Sequence, residues 1–137
     1  APYVRRRWTM RFKPPVYLNA LMRDVRLAGA RVVVREFANL DELLALDEPA
    51  LVNCTGLGAK PLFGDEELHP VKGQLTVLLP QPEVDYMVIG GGLYMLSRRD
   101  GIVLGGTQQA DDWSLEPSAT EMDRVMNGHA EFFGAMA

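Results

Sequence analysis

Cysteine is nearly missing from this sequence: Cys54 is the single one in 137 residues, so no internal disulfide can form. Histidine is almost as scarce. His69 and His129 stand too far apart to show metal-ligand spacing, which argues against a structural metal. Long apolar runs are lacking too, since the longest uncharged one, residues 86–96, holds three glycines. It falls well short of the ~20 residues that span a bilayer. Nor is positive charge in excess. With 14 Lys+Arg against 18 Asp+Glu the formal charge is −4, so no overall field draws the molecule to nucleic acid. No repeat or low-complexity stretch interrupts the pattern. These absences lead us to expect a cytoplasmic globular protein without membrane or nucleic-acid partners. The chain starts at Ala1 without methionine and enters patterned sequence at once; a cut or processed chain is therefore expected.

What is present is ordinary globular composition, 47% hydrophobic and 23% charged. Arg5, Arg6, Arg7, Arg11 and Lys13 alternate with Tyr3, Val4, Trp8, Met10 and Phe12, which reads as an edge or half-buried strand with a basic solvated face. The arginine pair invites an export-signal reading, but no apolar stretch of roughly 7 to 15 residues follows it. Val16, Leu18, Leu21, Met22, Val25 and Leu27 recur at helical spacing between Pro15 and Gly29, predicting a helix over 16–27. The β-branched run 30–35 predicts a strand, and Asp41 is the expected cap of a short helical turn over 42–46. Residues 50–53 are continuously apolar, as in a strand buried on both faces.

Beyond Pro61 the texture changes to short strands, 73–79, 87–89, 93–97 and 102–104, separated by Pro, Gly and Asp turns. That predicts an antiparallel meander, with a hairpin at Arg98-Arg-Asp-Gly101 where Asp-Gly would supply positive φ. Pro117 precedes a terminal helix over 119–133, with Met122, Val125, Met126, His129, Phe132 and Phe133 along one side.

Several constellations carry both a bland reading and a chemical one. Gly56-Leu-Gly58-Ala-Lys-Pro61 approaches a dinucleotide fingerprint, but Pro61 stands at the third glycine and no helix is expected behind it. It is a turn of small residues, or a place where backbone amides approach a flat or anionic cofactor. Lys72-Gly73-Gln74 reads as a bend, Gly90-Gly91-Gly92 as a flexible link or a close approach. Tyr94 is by default a packed aromatic.

Their order is more specific. Asn53-Cys-Thr-Gly-Leu-Gly-Ala59, Gly64-Asp65, Leu68-His-Pro-Val-Lys-Gly-Gln74, the run from Tyr94 to Thr107 and Asp112-Trp-Ser114 resemble the D-amino acid oxidase family, over residues 16–114. The resemblance implies an α/β (α+β) fold in three parts. Residues 1–60 would be a partial FAD-binding domain, 61–115 a largely antiparallel substrate-binding sheet, and 116–137 a C-terminal helix. It places Cys54, Thr55 and Gly56 beside FAD, Phe37 near the adenine side, and Tyr94 where a hydroxyl holds the substrate carboxylate. The implied reaction takes a hydride from the carbon bearing nitrogen of an amine or amino acid to the flavin. Three departures accompany it. The sequence has no Gly-x-Gly-x-x-Gly, Gly90 stands where some members carry a second tyrosine, and the family's carboxylate-binding arginine has no match. Arg98 or Arg99 is the candidate replacement. The chain by itself is accordingly expected to be inactive, to lack an N-terminal segment and to self-associate. The competing reading is a non-catalytic module of the same fold that binds no flavin.

Overall fold

The computed structural model of the chain describes residues 5–136. Helices and antiparallel sheets combine in two compact units, Ala1–Ala38 and Asn39–Ala137.

In the first unit the expected helix forms as α1, Pro14–Leu27, with the prolines at its first two positions, where no intrahelical N–H is needed. Its end is a Schellman motif: Ala30 N–H donates to Val25 C=O at 3.1 Å and Gly29 N–H to Arg26 C=O at 3.0 Å. Gly29 makes this possible with φ +92°. The two expected strands do not form. Residues 5–12 and 30–35 carry no ladder, and Trp8, Met10 and Val34 are 93%, 92% and 100% exposed; Tyr3 and Val4 lie outside the described residues. A strand is a relation between segments, and among the described residues no segment pairs with either run. The aromatics find local partners instead, with Arg6 5.5 Å from the Trp8 ring centroid and Phe12 edge-on to Tyr17.

The second unit opens with α2, Leu40–Leu44. Its cap is Asn39, not Asp41: extended backbone at Asn39 lets Oδ1 accept from Glu42 N–H at 3.0 Å, which puts Asp41 inside the first turn. Residues 50–53 are exposed and unpaired, with Val52 86% accessible, so the doubly buried strand is also absent. The cause is the same lack of a ladder partner.

The expected antiparallel strands form, but only the last three run as a meander; the first, expected over 73–79, covers 76–78 and pairs with the last strand, not with its sequence neighbour. Strands β1 (Val71–Lys72), β2 (Thr76–Leu78), β3 (Met87–Gly90), β4 (Leu93–Arg98), β5 (Gly101–Gly105) and β6 (Gln109–Ala110) make two sheets, β1-β6 and β2-β5-β4-β3. Gly91 and Gly92 close the β3–β4 hairpin at φ +60° and +76°, the two positive φ values of a type I′ turn. The β4–β5 hairpin turns over Arg99 and Asp100, but the positive φ falls on Gly101, at +150°. A Cβ there would lie 2.6 Å from Leu78 C=O, so the glycine also admits β2.

Helix α4, Ala119–Gly134, covers one face of the larger sheet. Ser118 caps it, and Val125 seats against Met95, Ile102 and Leu104, all at most 3% exposed. The Lys-Gly-Gln motif ties this helix to the smaller sheet and is much more than a bend. The Gln74 amide donates to Ser118 C=O at 3.0 Å and accepts from Ser118 N–H at 2.7 Å. Thr107 Oγ1 accepts from Gln74 N–H at 2.5 Å and donates to its C=O at 3.0 Å. Lys72 Nζ donates to Asp112 Oδ2 at 3.0 Å and Glu116 C=O at 2.9 Å.

Gln74→Ala leaves Ser118 N–H without its partner, while Ser118 C=O keeps Met122 N–H, at a cost of about 1–3 kcal/mol. A lowered urea midpoint with unchanged slope is the expected measurement. Lys72, with Ser114 N–H, holds the Asp112 carboxyl below the usual carboxylate range. Because the folded-state value is depressed, this contribution is intact above the unfolded carboxylate pKa of about 3.9 and is lost as pH falls through the folded one. Urea midpoints of wild type and Lys72→Met should therefore converge in strong acid.

Candidate functional site

Strand β4 alternates between two environments. Met95 points into the core beneath α4, so Tyr94 and Leu96 belong to the opposite face, together with Ile89, Val103 and Val77 by register. This face is apolar and open: Ile89 is 74% and Val77 59% exposed. Directly across from Tyr94 stands Gly105. A Cβ on Gly105 would fall 2.1 Å from the ring carbon Cζ and 2.4 Å from the hydroxyl, so the absent side chain is the seat of the phenol. Among the described residues the Tyr94 hydroxyl has no hydrogen-bond partner. A half-buried ring thus carries one uncommitted O–H over an apolar surface.

The second cluster is the loop after residue 53. Asn53 Oδ1 accepts from Thr55 N–H at 3.1 Å and from Thr55 Oγ1 at 2.7 Å, an Asx turn that encloses Cys54. Gly56 follows at φ +56° and opens a 3-10 turn, Gly56–Gly58. Helix α3, Ala59–Phe63, continues it, so a helix does open behind the small residues, contrary to expectation. It is five residues long and stops at Gly64 in the left-handed region. Pro61 occupies its third position, where a missing N–H costs no bond.

Cys54, Thr55 and Gly56 are all exposed, and no atom lies within 4 Å of the position a Gly56 Cβ would take. Bare backbone at Gly56 leaves room for a flat group to approach, while the Thr55 N–H and hydroxyl are already taken by Asn53. Phe37 belongs to the first unit, half-buried beneath the Arg35 guanidinium at 4.8 Å from its ring centroid. Arg98 is already engaged, its Nε donating to Asp100 Oδ1 at 2.8 Å, and that partner's hydrogen bond raises its pKa above the ordinary value. It locks the hairpin end.

Two residues that meet Tyr94 from different sides escaped sequence reasoning. Gly105 could have been found, because glycine inside a strand signals close approach. His129 gave no sign beyond its place on an apolar helix face. Its Nε2 lies 3.1 Å from Tyr94 C=O.

The model of the family described as FAD dependent oxidoreductase (DAO) matches residues 6–136. The chain is similar to D-aspartate oxidase of Homo sapiens, 32% identical over 121 residues, covering 87% of this chain and 35% of the relative. It is also similar to D-amino-acid oxidase of Streptomyces coelicolor, 39% identical over 97 residues, covering 67% and 30%. For D-amino acid oxidase of Dugesia ryukyuensis the identity is 30% over 105 residues, covering 75% and 31%. The chain thus spans about a third of the length of the curated relatives it matches. Among the described residues no helix is long and apolar enough to cross a membrane.

The seat beneath Tyr94 is testable without ligand. Gly105→Ala forces the ring aside and should cost about 1–3 kcal/mol by overpacking. In a Tyr94→Ala background the same substitution should cost far less, since nothing remains to displace. Equal costs in the two backgrounds, measured by urea denaturation, would remove the ring from Gly105.

Proposed function

The chain belongs to the FAD dependent oxidoreductase (DAO) family, and on that footing we propose that the enzyme built around it oxidises an amino acid at the carbon bearing nitrogen. Tyr94 is the substrate-binding residue in this reading. One observation carries it: the phenol is held against Gly105 on an open apolar face, with a hydroxyl that no described residue uses. A phenol O–H donating to a carboxylate makes a charge-assisted bond, stronger than a neutral one. Ile89 and Leu96 beside it are apolar and offer the carboxylate no rival donor. Tyr94 binds and orients; it is not asked to remove a proton.

Cys54, Thr55 and Gly56 are the residues of the second unit that we assign to FAD; the assignment of Phe37, in the first unit, rests on the family resemblance alone. The Asx turn supports this assignment, because Asn53 fixes Thr55 and leaves the backbone at Gly56 uncovered. FAD, when bound, supplies the acceptor for the hydride. The names of the relatives, D-amino acid and D-aspartate oxidases, favour substrates of the D series.

Because the 137-residue chain carries no Gly-x-Gly-x-x-Gly to receive a diphosphate, it should not by itself retain FAD through dialysis. A stoichiometric flavin absorption spectrum would overturn this. In the flavin-loaded enzyme, Tyr94→Phe removes a hydrogen bond to a charged group, worth about 1.5–3 kcal/mol, or roughly 10- to 150-fold in kcat/KM. The loss should appear with an amino acid and vanish with its decarboxylated amine, at unchanged flavin content. Equal losses on both substrates would return Tyr94 to the core and favour a non-catalytic use of the face.

A further inference from the structure

Helix α4 meets Tyr94 through one side chain. His129 is 6% exposed; its Nδ1 lies 2.7 Å from Val125 C=O, one turn back, and its Nε2 lies 3.1 Å from Tyr94 C=O. Its ring stacks on Phe133 at 6.5 Å between centroids. Packing does not enclose it completely, since His129 borders a cavity of about 310 Å³ shared with Met126, Phe133, Leu104 and Tyr86. The imidazole sits between two carbonyl oxygens. A carbonyl oxygen can only accept, so each contact needs a proton on its own nitrogen, and a neutral ring, with one N–H, donates to only one of the two carbonyls.

We propose that His129 is the positioning residue of Tyr94, its Nε2–H tethering the Tyr94 carbonyl to α4 so that the phenol stays over Gly105. Tyr94 is paired with Ile89 on one side and Gly105 on the other, so the ladder holds the strand and the imidazole adds a contact from outside the sheet. A donor anchored in the helix holds the peptide after Tyr94, and through it the direction of the Cα–Cβ bond. The tether therefore requires the ring proton at Nε2, which leaves Nδ1 beside Val125 C=O without a hydrogen bond to it. The functional meaning of the tether rests on the Tyr94 reading given above; the tether itself rests on geometry.

Two measurements separate the parts. Long-range 1H–15N spectra of the 137-residue chain should show His129 protonated at Nε2, with that proton in slow exchange. A ring protonated at Nδ1 only would overturn the tether. His129→Leu removes the ring N–H and His129→Gln offers an amide donor of similar reach in its place. In the chain, Leu should shift the Tyr94 ring resonances and speed Gly105 amide exchange, while Gln restores both in part. In the flavin-loaded enzyme, Leu should raise KM for an amino acid roughly two- to twelvefold, the worth of one net hydrogen bond, and leave KM for the decarboxylated amine and kcat near wild type. If Leu does not fold, the nitrogen spectra and the Gln variant still decide. Unmoved Tyr94 signals and KM in a folded variant, with Tyr94→Phe showing its carboxylate-specific loss, would refute positioning by His129. Absence of that loss in Tyr94→Phe would instead refute the reading beneath it.

Discussion

One helix can cover one face of a sheet. Val125 on α4 packs against Met95, Ile102 and Leu104, and this contact fixes which way every residue of β4 and β5 points. The alternation of a strand then leaves Tyr94, Leu96 and Val103 on the side α4 cannot reach. An apolar surface left open with a single aromatic hydroxyl on it has the makings of a binding face, few polar groups set among many apolar ones. The core and the candidate site are thus two consequences of the same pairing register. A slip by one residue would exchange them.

Glycine does different work in the two clusters. At Gly105 it makes room inside the protein, for a ring from the neighbouring strand. At Gly56 it makes room outside, where nothing of the described chain approaches and the backbone turns left-handed to begin a helical turn. The second kind of vacancy suits a ligand and the first suits packing, and both come from the lack of a Cβ. Asn53 completes the loop by consuming the Thr55 N–H and hydroxyl, so the turn is rigid before anything binds.

Local signals were the ones legible in the sequence. Helices α1 and α4, the hairpin at Arg99 and the antiparallel strands follow from spacing and turn chemistry within a few residues, whereas Gly90-Gly91-Gly92, read as a flexible link or close approach, is the β3–β4 turn. The runs at 30–35 and 50–53 have strand composition yet make no strand, because composition cannot provide a partner ladder. Val34 and Val52 lie exposed as a result, and such unpaired apolar backbone favours association with a further strand. The Asn39 cap was missed in favour of Asp41 because both residues qualify chemically and only backbone conformation chooses between them. Least legible was the Gln74 clamp, whose partner at Ser118 lies 44 residues away. Order along the chain pointed to Tyr94 and the Asn53 loop, whereas their geometric supports, Gly105 and His129, became visible only in three dimensions.

A strand residue belongs to both faces of its sheet, since its side chain leaves one way while its peptide is shared by everything that bonds to it. At Tyr94 the two halves have different tasks: the phenol sits on the open face, and the carbonyl meets a nitrogen that rises from the buried helix. Burial secures that nitrogen, because His129 is packed against Phe133 in a place where an unpaired polar group would be costly. The aim of an exposed hydroxyl is in this way set from the dry side of the sheet. On the reading proposed above, Tyr94 is held by groups on the side of the sheet away from its hydroxyl.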